Sequence, residues 1–207
     1  MKKIIYLLLL LTTVQVNATL IERDYRNNGD GLITYDTETG FEWLDLTETL
    51  GVSYNIVSSK LGAGNDLEGW QYGTAAQVAS FFDSAGGSGV YESHSSSHND
   101  VTEIIIPLWG ETYGDSGYRQ SNFLTGTSHV SGMHLSGGVT DYYGNYEYPN
   151  STQDIIRFAY VDFAQPDYAG NRLTGSALMR ISSVPEPSTI SLFALGLLGL
   201  AYSRKKA

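Results

Sequence analysis

The 207-residue sequence contains no cysteine, few basic residues and only short apolar runs. Without cysteine the chain cannot form disulfides, thiolate zinc sites or a cysteine nucleophile. Its 12 Lys and Arg residues stand against 22 Asp and Glu residues, which gives a formal net charge of −10 at pH 7. A surface of this sign repels phosphate backbones, so we predict that nucleic acid is not a partner.

Sequence signatures of common enzyme classes are also missing. There is no G-x-S-x-G elbow, no H-E-x-x-H motif and no G-x-x-x-x-G-K-[ST] loop. We therefore predict a non-enzymatic protein with no catalytic residues, no cofactor and no metal. An extracellular hydrolase remains an alternative, because carboxylates are abundant and linear spacing cannot show whether two of them act together.

The first 18 residues have the layout of a signal peptide. Lys2 and Lys3 form a charged start, residues 4–11 form a short apolar stretch, and Val16-Asn17-Ala18 offers small residues at a cleavage site. We predict that the general secretion machinery exports the chain and that signal peptidase cleaves after Ala18.

The last 24 residues combine a rigid polar motif, a short apolar stretch and a basic end. The motif is Val184-Pro185-Glu186-Pro187-Ser188-Thr189, in which the two prolines keep the backbone extended. The apolar residues 190–202 would span roughly 20 Å as a helix, which is less than the hydrocarbon core of about 30 Å. Arg204, Lys205 and Lys206 can reach the headgroups and act as a membrane stop.

This order of motif, hydrophobic helix and basic end resembles the PEP-CTERM sorting tail of exported proteins from exopolysaccharide-producing Gram-negative bacteria. The resemblance implies recognition by an exosortase, a membrane-embedded enzyme that resembles cysteine transpeptidases and cleaves near Pro185-Glu186-Pro187. It further implies a transient stay in the inner membrane, followed by release to the cell surface or to the polysaccharide matrix of a biofilm. A plain C-terminal membrane anchor is the alternative.

Residues 19–183 are predicted to form one small exported α+β domain of short antiparallel strands. Once the leader and the tail are set aside, seven basic and 21 acidic residues remain, so this body carries a charge of −14. A hairpin is predicted across residues 27–31, since Asn-Gly and Asp-Gly favour tight turns. A calcium loop at the same place fails, because Arg26 falls on a ligand position and the twelfth position lacks glutamate.

Helices and further strands of the body are predicted from periodicity. Two helices are predicted in its N-terminal half, at residues 54–61 with Ser53 as the N-terminal cap and at residues 75–83 after Thr74. Residues 101–109 are predicted to be buried, as a strand or as a helix that ends before Pro107. Alternation predicts strands near Phe41 and Trp43, at residues 69–72 and 155–162, and at residues 177–181.

Parts of the body resemble a recurrent exported domain that is distantly similar to C-type-lectin-like modules. The similar blocks are residues 31–36, 40–44 and 69–74, and the chain departs from the pattern at Gln71-Tyr72-Gly73 and at Gln77. This resemblance implies a glycan-binding module as the alternative function, with extracellular polysaccharide as a ligand. Trp109, Tyr142 and Tyr143 are the candidate ligand face, although residues 141–148 also read as a surface loop.

Overall fold

Two mostly antiparallel sheets and three α-helices form the part of the chain that the computed structural model describes, which is residues 19–87, 99–115, 118–142 and 156–182. Sheet A contains β1 (Leu20–Arg23), β2 (Ile33–Asp36), β3 (Phe41–Leu44), β4 (Gln71–Tyr72) and β10 (Leu178–Ile181). Sheet B contains β5 (Tyr113–Asp115), β6 (Tyr118–Val130), β7 (Met133–Tyr142), β8 (Ile156–Pro166) and β9 (Gly175–Ser176). The helices are α1 (Tyr54–Lys60), α2 (Ala75–Ser84) and α3 (Asn99–Trp109), with a 3-10 turn at Leu46–Thr49. The predicted α+β class is confirmed.

Sheet A has the strand order β1-β2-β3-β10-β4, so the last strand in the sequence lies between β3 and β4. Leu44 and Leu178 point to one face, where they join Val57 of α1 and Trp70. Trp43 and Met179 point to the other face and join α2, α3 and sheet B. Both faces of sheet A are therefore covered by apolar side chains.

The main core is an aromatic cluster between the two sheets. Trp109 of α3 lies against Phe123 with ring centroids 5.1 Å apart, and Phe81 of α2 stacks on Trp43 at 4.9 Å. These four side chains have no exposed surface. Large rings dominate interior packing, so this cluster fixes how α2 and α3 sit on the sheets.

α3 continues through Pro107 to Trp109, so the prediction of a helix that ends before Pro107 was wrong. The proline ring removes a single backbone donor in the last turn. That loss is outweighed because Ile105, Ile106 and Trp109 are all buried in the core. The helix ends at Trp109 and is followed by Gly110, whose φ of +94° favours glycine, and a Cβ there would collide with the carboxylate of Asp45.

Sheet B corrects the prediction of short strands. β6, β7 and β8 contain 13, 10 and 11 residues. This region is rich in glycines and hydroxyl residues, yet they pair in register over long strands, for example Gly138 with Asn122 and with Tyr160. Thr125, for example, is buried and donates its hydroxyl proton to the carbonyl of Leu135. Polar residues of this kind extend the sheet because they have partners inside it.

The first and the last described residues lie at the same end of sheet A. The N–H of Thr19 donates to Thr37 Oγ1 at 3.0 Å, and the N–H of Thr37 donates to the carbonyl of Thr19 at 3.2 Å. The N–H of Ser182 donates to the carbonyl of Gly40 at 2.9 Å. The turn between β2 and β3 therefore holds both ends of the described body.

Candidate functional site

Ser182 is held by a charged group that we call the Glu42 cluster, made of Arg23, Glu42, Arg180 and Ser182. Arg23 Nη1 donates to Glu42 Oε1 at 2.7 Å, and Arg180 Nε donates to Glu42 Oε2 at 2.7 Å. The hydroxyl of Ser182 donates to Glu42 Oε1 at 3.0 Å. Register places these side chains on one face of sheet A, since Arg180 pairs with Glu42 across β10 and β3. The cluster fixes the C-terminal end of the body.

The Glu42 carboxylate is nearly buried, at 8% exposure, while the two arginine side chains are each 34% exposed. Burial acts to raise the pKa of Glu42, but hydrogen bonds from Arg180, Arg23 and Ser182 outweigh it and leave the pKa below its ordinary value. Both guanidinium groups also cover aromatic rings, with Arg23 3.6 Å from the centroid of Tyr35 and Arg180 4.4 Å from that of Trp70. The cluster is thus a desolvated and well-partnered ionic group.

An open cleft of about 170 Å³ lies between the β1–β2 loop, the 3-10 turn and α1. Charged side chains surround it, and Arg26 Nη2 lies 3.6 Å from Glu48 Oε2. Its walls comprise Arg26, Glu48, Thr49, Val52, Val57, Lys60, Asp66 and Leu67. Pockets for drug-sized ligands measure roughly 300–1,000 Å³, so this cleft is large enough for only one small polar group. A glycan could place only a single sugar unit in it.

The loop beside the cleft is organised by Asp30. Its two carboxylate oxygens accept the backbone N–H groups of Tyr25, Arg26, Asn27 and Leu32 at 2.7–3.3 Å. These bonds, led by that of Tyr25, lower the pKa of Asp30 to about 2. The predicted hairpin is confirmed. The carboxylate of Asp30 stabilises its loop by accepting backbone hydrogen bonds.

A second polar group, unseen in the sequence, joins α1 to sheet B. Tyr54 stacks between Tyr72 and His134, with centroid distances of 4.4 and 3.7 Å. His134 Nδ1 lies 2.7 Å from Asp167 Oδ1, and the hydroxyl groups of Tyr72 and Ser176 lie 2.9 Å apart. Burial raises the pKa of Tyr72 above its ordinary value, against the opposing effect of the Ser176 hydrogen bond. The stacked imidazole ring of His134 and its carboxylate partner Asp167 hold α1 against sheet B.

The structure corrects part of the candidate ligand face. Trp109 has no exposed surface, so its ring cannot stack on a sugar in this fold, and that part of the prediction was wrong. Tyr142 ends β7, where its backbone pairs with Tyr118 and Ile156, so the loop interpretation was wrong at this residue. Tyr143 lies outside the described residues. Trp109 therefore cannot share an exposed ligand face with Tyr142.

Several other predicted sites also fall outside the described residues. These are the cleavage site at Ala18, the motif Val184 to Thr189 and the basic end Arg204 to Lys206. Within the described ranges, no helix is both long and apolar enough to cross a membrane. The same ranges hold no group of three His, Asp or Glu side chains arranged for a metal ion.

Comparison with known families identifies the C-terminal segment. A family model described as the PEP-CTERM protein-sorting motif matches residues 183–206. This match confirms the sorting tail predicted from the sequence, and it indicates an exported, envelope-targeted chain that an exosortase sorts. No curated protein and no solved structure matches the chain significantly. The C-type-lectin-like resemblance of the body therefore stays a prediction.

Proposed function

Since the chain is a PEP-CTERM motif-containing protein, we propose that it is a non-enzymatic exported protein whose tail an exosortase cleaves near Pro185-Glu186-Pro187. In this proposal signal peptidase first removes residues 1–18 of the newly exported chain. Residues 184–207 then hold the body at the inner membrane until cleavage. The released body resides at the cell surface or in the extracellular polysaccharide matrix of a Gram-negative bacterium.

The observation that carries the proposal is the position of the sorting motif relative to the folded body. The matched segment starts at residue 183, directly after Ser182, which is hydrogen-bonded to Gly40 and Glu42. Every described strand of sheets A and B ends at or before Ile181, so the matched segment follows the last of these strands. A segment that can be removed without opening the domain is what a disposable sorting signal requires.

The non-enzymatic role is supported by the way in which the described body uses its buried carboxylates. Glu42 binds two arginines, and Asp36 accepts the N–H groups of Glu38 and Thr39 and the hydroxyl of Ser84. Asp45 caps the 3-10 turn by accepting the N–H of Thr47 at 2.8 Å. These groups are committed to holding backbone and strands, and the composition carries no catalytic signature beside them.

The test is intact-mass analysis of the secreted protein from cells with and without an exosortase. We expect the exosortase-containing cells to release a body that lacks the C-terminal segment, and Glu186→Ala to leave the tail attached. Glu22→Ala makes the same chemical change on the exposed outer strand β1 and should be processed normally. Normal processing of Glu186→Ala, or the same mass with and without the enzyme, would contradict the proposal.

A further inference from the structure

The end of sheet A that carries both chain exits is here called the tether end. It consists of Thr19, the turn at residues 37–40, Ile181 and Ser182. Neighbouring strands lie about 4.8 Å apart, and β1 and β10 are separated by β2 and β3. The predicted signal peptide and the sorting tail therefore leave the body from one end, roughly 15 Å apart.

The distance from the tether end to the cleavage motif has a strict upper limit. Three peptide steps lead from Ser182 to Pro185, and a fully extended chain covers at most about 3.3–3.6 Å per residue. Pro185 therefore lies within roughly 11 Å of Ser182 in any conformation. The hydrogen bonds of Ser182 to Gly40 and to Glu42 fix the start of this spacer on sheet A.

We infer that the tether end of the body is a contact surface for the exosortase during cleavage. An enzyme that encloses the residues around Pro185 needs at least one layer of secondary structure on each side of the peptide, and one such layer is about 10 Å thick. A layer of this thickness takes up the whole distance of roughly 11 Å between Ser182 and Pro185. An enzyme that holds Pro185 therefore reaches the tether end. The inference rests on the proposed function, because it takes the exosortase as the partner.

The chemistry of the tether end favours a protein partner over a lipid surface. Adsorption to anionic headgroups needs free basic side chains. The two arginines nearest this end, Arg23 and Arg180, are instead paired with Glu42. The surface offers Thr37, Glu38 and Thr39 on the turn, together with Ile181, which is 76% exposed. An exposed isoleucine can be buried against a protein partner, which removes its apolar surface from water.

Crosslinking from single cysteines tests the inference, because the chain has no cysteine of its own. Ile181→Cys and Val130→Cys are labelled with a thiol-reactive benzophenone and placed, as full-length chains, in vesicles that contain the exosortase. Val130 is a matched control: it is an exposed β-branched strand residue, at 50% exposure. Val130 pairs with Met133, next to His134, which stacks on Tyr54. Tyr54 stacks in turn on Tyr72, which pairs with Leu178 at the opposite end of β10 from Ser182.

We expect the label at position 181 to crosslink the enzyme several-fold more than the label at position 130. A Gly-Ser insert of about 15 residues between Ser182 and Ser183, with a root-mean-square span of roughly 20 Å, should lower the yield at 181 to the level at 130 while cleavage continues. Equal yields at both positions with the native spacer, or a yield at 181 that the insert leaves unchanged, would overturn the inference. Failure of the enzyme to cleave any of these chains would overturn the proposed function instead.

Discussion

Glu42 joins side chains from β1, from β10 and from the residue just after β10. Its partners are 19, 138 and 140 positions away in the sequence. A carboxylate with this little exposure is stabilised only when its lone pairs are used, and here two arginines and a serine use them. The negative charge of Glu42, and not only its shape, therefore stabilises the position of the C-terminal end of β10.

Glu42→Gln is expected to lower the free energy of unfolding at pH 7 by about 1–3 kcal/mol, since the amide cannot accept from both arginines. The pKa of Glu42 is lowered in the folded state. Its stabilisation is therefore complete above the unfolded pKa of about 4.3 and is lost as the pH falls through the lower folded value. Urea denaturation from pH 7 to pH 2 measures both effects.

The matched control for this prediction is Glu22→Gln, because Glu22 is an exposed carboxylate on the outer strand β1. Substitutions at such surface positions usually change the free energy of unfolding by less than about 0.5 kcal/mol. If the difference between the wild type and Glu42→Gln stayed constant into acid, the ionic account of the cluster would be wrong.

At the scale of the element, the starts of α1 and α2 differ. The N–H of Gln77 donates to Thr74 Oγ1 at 3.2 Å, and the N–H of Thr74 donates to Gln77 Oε1 at 2.8 Å, so α2 starts with a capping box. The backbone N–H of Ala75 also donates to Thr127 on β6. Ser53 precedes α1 but its side chain makes no cap hydrogen bond, so its predicted role as a side-chain cap was wrong.

Thr74→Ala is expected to reduce the free energy of unfolding by about 1 kcal/mol, which is the usual cost of losing an N-cap side chain. Ser53→Ala should cost less, because no cap bond is lost there. Thr74→Ser, which keeps the hydroxyl group, should restore most of the stability. Thermal and chemical denaturation of the three variants checks the order, and a larger loss for Ser53→Ala than for Thr74→Ala would contradict it.

Local patterns predicted those elements whose signals lie within a few residues. The existence of the hairpin around Asp30 was predicted, and so were the bounds of α1 and α2 to within one residue, because turn residues and apolar stripes are contiguous there. α3 and the long strands were not, since burial of Trp109 and pairing of Gly138 depend on distant partners. The sorting motif is likewise contiguous, whereas the Glu42 cluster exists only once β3 and β10 are paired.

At the scale of the whole molecule, the fold of sheet A depends on its last strand. Leu178 and Met179 are fully buried and contribute to the two opposite faces of the sheet. Removal of a single such side chain typically costs about 2–5 kcal/mol, and whole domains are stable by only about 5–15 kcal/mol. The fold of the body therefore needs β10.

A chain that ends at Ser182 is accordingly expected to fold cooperatively, while a chain that ends at Ala177 is not. The shorter chain loses the pairing of β10 with β3 and β4 together with both buried side chains. Amide dispersion in NMR spectra and a sigmoidal denaturation curve distinguish the two outcomes. A native-like spectrum from the chain that ends at Ala177 would contradict this account of sheet A.

The position of β10 also sets the timing of folding during export. A chain that crosses the membrane from its N-terminus delivers β3 and β4 early, and these strands flank a gap that only residues 178–181 can fill. The gap closes when translocation has almost finished, just before the segment that the sorting motif occupies reaches the bilayer. Sheet A is thus completed at about the time when the sorting motif arrives. A chain that stalls early in translocation has neither a complete sheet A nor a sorting motif that the exosortase can reach.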